Sequence, residues 1–306
     1  MAEQTTVRPA GSVQPRGRSW LRNRKLSLLG FIAPALTVIA VTNIYPFFYT
    51  LWTSFRNWNL AYSDASNTFI GIANYHDIIR DPEFWHAVRL SGVYTVSAVG
   101  LEFVFGFAIA LLFHREFVGR GLFRSILLLP LAISPVVVGL MWRWLYNADA
   151  GFINYLFGLA HLPPQAWLVN PRVALPALIV IDIWEWTPFI MMIMLAGLQG
   201  LPDEVLEAGK IDGATGWQTL RFLTWPLLRS LAVVAIIFRT ADAFRLIDTI
   251  FATTYGGPGA ATKVLPLMTY FEAFKFFRLG YGAALAMIMI VVSTVWATVM
   301  VRRIEI

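Results

Sequence analysis

Two stretches of this 306-residue chain set charged side chains inside apolar sequence, and any chemistry the chain performs within its interior has to begin there. One is IDIWEWTPF, with Asp182, Glu185 and Trp186; the other is FRTADAFRLIDTIF, with Arg239, Asp242, Arg245 and Asp248. Charges in an apolar helix are expensive, so they face a cavity, a partner or one another. The four residues of the second stretch recur every third position, so each neighbouring pair can form a helical ion pair. The stripe drifts backward by about 60° per step on a 3.6-residue helix, which turns its two ends to opposite sides. An ion-pair ladder between helices and contact of one member with a ligand both remain open. In the first stretch Trp184 and Trp186 point about 160° apart, so at most one shares a path with Glu185. Trp186 is the better placed, because Thr187-Pro188 beside it can disturb the helix and expose backbone carbonyls.

Other chemistries find no residues. The chain has no cysteine, which excludes disulfides and thiol catalysis. The four histidines (His76, His86, His114, His161) are scattered without ligand spacing, so no metal centre is expected. No nucleophile stands beside a base, and no catalytic residue is assigned. GGPGAATK holds Gly and Lys at the wrong spacing for a phosphate-cradling loop.

The elements that must position these residues are membrane helices. Hydrophobic residues make up 58% of the chain and charged ones 14%, against about 25% in soluble domains. Six apolar runs read as spans, at about Leu26–Leu51, Val88–Phe113, Leu122–Leu145, Val173–Leu198, Leu223–Ile250 and Tyr281–Val301. The second holds one acid, Glu102, and the third contains Pro130 and Pro135. Residues 52–86, 146–172 and 251–280 read as external loops. The expected fold class is an all-α integral membrane protein with six transmembrane helices: a basic arm over residues 1–25, then a membrane domain over 26–306.

The net charge of +6 reflects that arm, where Arg16, Arg18, Arg22, Arg24 and Lys25 precede the first span. With an apolar run directly behind it, the arm reads as a cytoplasmic anchor to membrane lipid rather than a nucleic-acid surface. With the N-terminus inside, fourteen Lys and Arg fall on the cytoplasmic side and eight outside, with Arg239 and Arg245 within a span. Three of the fourteen, Arg115, Arg120 and Arg124, sit in the short basic loop HREFVGRGLFR. Both termini are therefore expected in the cytoplasm.

The same sorting places the polar stretch 201–226 in the cytoplasm. Leu201-Pro202-Asp203-Glu204 has the early proline and first-turn acids of a helix start. That helix can run through Glu207 and Lys210 to a stop at Gly213. Thr215 and Gln218 fit a capping box for a second short helix leading to Pro226, where the next span begins.

Glu207-Ala208-Gly209, Asp212-Gly213-Ala214, and Leu223 with Pro226-Leu227-Leu228 closely resemble the EAA loop of binding-protein-dependent ABC import permeases. Glu207, Asp212, Gly213, Ala214 and Pro226 match position by position. Gly209 replaces a customary second alanine, and Trp225 an aliphatic residue; a mid-helix glycine costs up to about 1 kcal/mol in helicity. Gly71-x-x-Asn74-Tyr75, Trp186-Thr187-Pro188-Phe189, and Phe238–Phe251 with Gly256–Gly259 are similar to the carbohydrate branch, in particular the short form of the maltose-type, MalF-like subunit.

The resemblance implies a type I ABC importer permease fold for a prokaryotic cytoplasmic membrane, with 201–226 docking on a separate ATPase. It further implies a second, MalG-type permease, two copies of the ATPase and an extracytoplasmic sugar-binding protein. ATP and Mg would then belong to the ATPase, with no cofactor in this chain. The expected function is passage of a sugar by alternating access, past Asp182, Glu185, Trp186, Arg239 and Asp242, with a weak transient site around Glu185, Trp186 and Asp242. The alternatives are a permease for another solute such as glycerol 3-phosphate, which would want more cavity cations than Arg239 and Arg245, and a non-transporting membrane scaffold or sensor.

Overall fold

The computed structural model describes residues 31–61 and 67–302. The basic arm, positions 26–30 of the first expected span, and Tyr62 and Arg303 lie outside the described residues. The described chain falls into two units, up to Trp52 and from Thr53 onward. In the first unit an apolar helix, α1 (Phe31–Ser54), passes through a π-helical turn at Ala40–Ile44 and runs on into the start of the second unit.

The second unit begins with structure where an external loop was expected. Arg56–Asn57 (β1) pairs antiparallel with Thr68–Phe69 (β2), and a short helix, α2 (Ala73–Arg80), follows. The Gly71-x-x-Asn74-Tyr75 motif is a clasp for this region. Gly71 takes a positive φ of 60°, the buried Asn74 amide donates to the Ser54 and Arg56 carbonyls at 2.9 Å each, and the Tyr75 hydroxyl meets the Ser54 hydroxyl at 2.7 Å.

The second span starts one and a half turns earlier than expected. Asp81 caps α3 (Pro82–His114) by accepting from the Glu83 amide at 2.8 Å, with Pro82 in the first turn. At 33 residues α3 is longer than a bilayer requires.

The third span is not one helix. α4 (Arg120–Leu128) tightens into a 3₁₀ turn at Leu129–Ala132, and α5 (Pro135–Leu145) leaves at 101° to it. Pro130 and Pro135 are the cause. Each lacks an amide hydrogen, and at Pro135 the preceding residue is also driven out of the helical region, whereas Leu129 before Pro130 stays helical at φ −54°, ψ −41°. Ser134 accordingly sits at φ −64°, ψ 137°, and Ile133 is extended beside it. After α6 (Phe152–Leu159), α7 (Ala174–Gln199) is unbroken, and Pro188 stands inside it without interrupting it. The missing amide leaves the Trp184 carbonyl without its intrahelical donor, but the helix does not open as expected.

The later helices depart from expectation at both ends. α8 (Asp203–Ile211) is followed by α9, which runs from Gly216 to Ala243 without a break. The second short helix expected before Pro226 is therefore the first part of the span itself. Proline is tolerated there because the preceding turn, Thr219–Thr224, widens into a π-helix in which the Trp225 amide reaches back to the Leu220 carbonyl. The span stops at Ala243 rather than near Ile250, and α10 (Asp248–Thr253) packs against α5, where the Thr249 hydroxyl donates to the Pro135 carbonyl at 3.3 Å. α11 (Leu265–Tyr270) and its π-helical extension to Lys275 lie in what was expected to be a loop, with Leu265, Leu267, Met268 and Phe271 buried. The last span is α12 (Leu279–Arg302). The described residues thus hold five helices long and apolar enough to span, and a sixth if the bent α4–α5 pair is one crossing.

α3 and α7 form the principal packed pair, made possible by Gly106. A Cβ there would lie 2.8 Å from the Ile190 Cβ and 3.0 Å from the Met191 backbone nitrogen. Small residues let membrane helices approach in this way, and backbone on the other side cannot yield. Gly106→Val is expected to cost about 1–3 kcal/mol, read as a lower midpoint of thermal unfolding in detergent. An unchanged midpoint would show that the two helices have room to separate.

Candidate functional site

The charged residues of the two stretches meet around one guanidinium. Arg239, on α9, is 1% exposed. Its Nε and Nη2 donate to both oxygens of Glu102 on α3 at 2.8 and 3.0 Å, a bidentate pair. Nη2 also donates to Asp182 of α7 at 2.5 Å, and Nη1 to Asp242, one turn along α9, at 3.1 Å. The guanidinium carbon stands 4.7 Å from the centre of the Trp186 ring, a cation–π contact. One side chain therefore joins three helices, and four of its five donors are committed.

Of the path residues expected from the sequence, Asp182, Trp186, Arg239 and Asp242 come together here. Glu185 is buried one turn from Asp182. Asp182 Oδ1, Glu185 Oε2 and Trp186 Nε1 are buried atoms without a hydrogen-bond partner. Such atoms are costly unless something else satisfies them. Trp184 turns the other way, against Trp142 at 5.6 Å between ring centres, as the 160° separation requires.

The ion-pair ladder along α9 is realised at its first rung only. Arg239 pairs with Asp242, but Arg245 donates Nε to the Ala241 carbonyl and makes no ion pair among the described residues. The helix ends at Ala243, so Arg245 and Asp248 no longer share its face. Sequence reasoning noted Glu102 only as the one acid of its span and passed over Tyr94, which is buried beside the same cluster. The isolated carboxylate in the apolar part of this helix, about five turns beyond Glu83, was the available signal, since a lone buried acid needs a cation.

The polar stretch forms a second site. Asp203 and Glu204 occupy the first turn of α8 and Lys210 its last, each with the favourable sign for the helix dipole. Gly213 takes φ 78°; its amide reaches the Lys210 carbonyl at 3.1 Å, and the Ala214 amide reaches the Gly209 carbonyl at 2.9 Å. That pair of bonds is a Schellman motif, which explains why Asp212-Gly213-Ala214 occurs with this spacing. The capping box is present: the Gln218 amide donates to Thr215 Oγ1 at 3.3 Å and the Thr215 amide to Gln218 Oε1 at 2.7 Å.

Glu207, Ala208, Asp212, Gly213 and Pro226 are exposed, and Ala214 is half-buried. Gly209 is buried, and a Cβ there would stand 2.6 Å from Leu223 Cδ1. The departure from alanine thus seats α8 against the π-helical start of α9, and α8 passes through it unbroken. Ile211 at 86% exposure and Trp217 at 68% project from this polar hairpin as apolar groups without cover, a feature that composition alone does not mark.

Comparison with known proteins decides the family. The model for binding-protein-dependent transport system inner membrane components matches residues 102–305. The chain belongs to this family. The permease is 35% identical over 262 residues to the trehalose/maltose transport system permease protein MalF of Thermococcus litoralis, covering 85% of this chain and 86% of that one. It is 34% identical over 281 residues to the trehalose transport system permease protein SugA of Mycobacterium tuberculosis, covering 92% and 89%. Its fold matches a chain of a bacterial ABC transporter involved in the import of the acidic polysaccharide alginate, with a TM-score of 0.83, 18% identity and coverage of 94% and 98%. It is thus a multi-pass membrane protein with the type I importer permease fold.

Removing Arg239 leaves Glu102 and Asp182 buried without a cation. Arg239→Ala is expected to cost about 3–5 kcal/mol, whereas Arg239→Met combined with Glu102→Gln and Asp182→Asn should recover most of that stability. Thermal unfolding of the detergent-purified permease measures both. Equal loss in the single and triple variants would mean that the cost is one of shape rather than charge.

Proposed function

We propose that this permease forms one half of the membrane path of an ATP-driven carbohydrate importer and is driven through its Glu207–Pro226 hairpin. The observation that carries the reading is that hairpin: a capped helix between spans and the capped start of the next span, presenting Glu207, Asp212, Ile211 and Trp217 outward. An amphipathic surface of this size suits a groove on a partner. The partner is a cytoplasmic ATPase, present in two copies and holding ATP and Mg. Both termini of the permease lie in the cytoplasm with it. A second, MalG-type permease completes the path, and an extracytoplasmic binding protein delivers the sugar, in keeping with the family's description.

A neutral polyhydroxylated cargo fits the chemistry of the path better than a phosphate. Arg239 is spent on three carboxylates, so the cluster around it is acidic on balance. The unpartnered Glu185 Oε2 and Trp186 Nε1 offer an acceptor and a donor for sugar hydroxyls beside an aromatic face. Glu185, Trp186 and Asp242 form the transient site, and Arg239 with Asp182 holds it in place.

Glu207→Lys and Gly213→Trp should detach or uncouple the ATPase while leaving membrane insertion intact. The first reverses a charge on the exposed face; the second forces a side chain into left-handed backbone at about 1–2 kcal/mol. Co-purification and substrate-stimulated ATPase are the readouts, and wild-type values for both variants would refute docking. Separately, alanine at Glu185, Trp186 or Asp242 should lower uptake in reconstituted vesicles by roughly tenfold, the worth of one or two hydrogen bonds. Unchanged uptake by an assembled complex would remove those residues from the path.

A further inference from the structure

The bend between α4 and α5 leaves an apolar cavity of about 630 Å³ against α3 and α7, lined by Phe105, Ile109, Leu127, Ile133, Met141 and Trp184 among others. Its volume is within the range of about 300–1,000 Å³ typical of small-molecule clefts. The pathway cluster does not use it, since Trp184 and Trp186 lie on opposite faces of α7.

Arg120, Arg124 and Leu127 fall at i, i+4 and i+7, one stripe of α4 that ends at the cavity wall. Helical side chains lean toward the helix N-terminus, so both guanidiniums are carried away from the cavity and toward the membrane surface where α4 begins. Both arginines are half-buried, and neither makes an ion pair among the described residues. Glu116, the acid of the preceding loop, pairs with neither. Two like charges one turn apart repel, so an anion shared between them would be favoured.

We propose that this crook holds one anionic phospholipid of the bilayer, with an acyl chain in the cavity and its phosphate on Arg120 and Arg124. Basic groups beside a cleft between transmembrane helices at the cytoplasmic surface are a recurring way of selecting anionic head groups. The side of the membrane rests on the orientation given under Proposed function. The bent pair would then be braced by lipid where its prolines removed backbone hydrogen bonds, and occupancy would respond to the anionic content of the membrane.

The chain has no cysteine, so Met141→Cys provides a single labelling position in the cavity wall. The labelled permease, purified with its partner subunits, is placed in nanodiscs containing dibrominated phosphatidylglycerol or dibrominated phosphatidylcholine. A bimane at position 141 should be quenched by the brominated phosphatidylglycerol at about thirtyfold lower mole fraction, the order expected for two guanidiniums at the surface. That preference should vanish in Arg120→Gln/Arg124→Gln and persist in Arg120→Lys/Arg124→Lys, which tells lost charge from lost folding. Equal quenching by both lipids would overturn the proposal in favour of bulk lipid. Absence of quenching by either would overturn it in favour of a protein cover such as a helix of the second permease.

The orientation is read separately. Val118, 99% exposed in the loop before α4, replaced by Cys should react with an impermeant maleimide only after cells are opened. Reaction in intact cells would overturn the orientation and leave the lipid preference to stand on the quenching.

Discussion

A guanidinium cannot be left alone in the interior of a membrane protein, and much of the packing here answers that requirement. Arg239 draws Glu102 from α3, Asp182 from α7 and Asp242 from its own helix to a single point. The buried carboxylates of Glu102 and Asp182 would themselves be a heavy cost without the cation. The cluster therefore specifies how the three helices are rotated about their axes, a matter that apolar packing in lipid determines only weakly. Gly106 works with it by letting α3 approach α7 closely enough for the charges to meet.

The second consequence is mechanical. Arg239 and the first turn after the capping box belong to one helix, α9, uninterrupted from Gly216 to Ala243. Residue 239 lies about 35 Å along the axis from residue 216 at 1.5 Å per residue. The exposed hairpin and the buried cluster are thus joined by one continuous helix. Its π-helical segment at Thr219–Thr224, just before Pro226, is the place where the hydrogen-bond ladder is already irregular. The hairpin itself is held by local bonds, the Schellman pair at Gly213 and the capping box at Thr215.

Much of this was readable from residues in order. The apolar runs, the capping box, the stop at Gly213 and the polar insert between two spans are local patterns, and local hydrogen bonds enforce them. Glu102 was visible as a lone acid, yet nothing near it in the chain indicates its partner, because Arg239 is 137 positions away. The ladder of Arg239, Asp242, Arg245 and Asp248 looked complete in sequence and is cut by the end of a helix that no Pro or Gly marks. α11 was missed for a related reason: a short helix with four buried apolar residues reads as a loop when its flanks are Gly-Gly-Pro-Gly and basic residues.

By itself, then, the sequence determined that the protein lives in a membrane, that it crosses it several times, and that a polar, capped segment interrupts the apolar runs. These follow from transfer free energies and backbone chemistry, which act residue by residue. The tertiary structure alone decided that Pro130 and Pro135 fold a span into a bent pair, that Gly209 is a packing contact with Leu223, and that three helices share one cation. Those outcomes depend on which side chains meet across the fold, and spacing along one chain does not encode a distance between two helices.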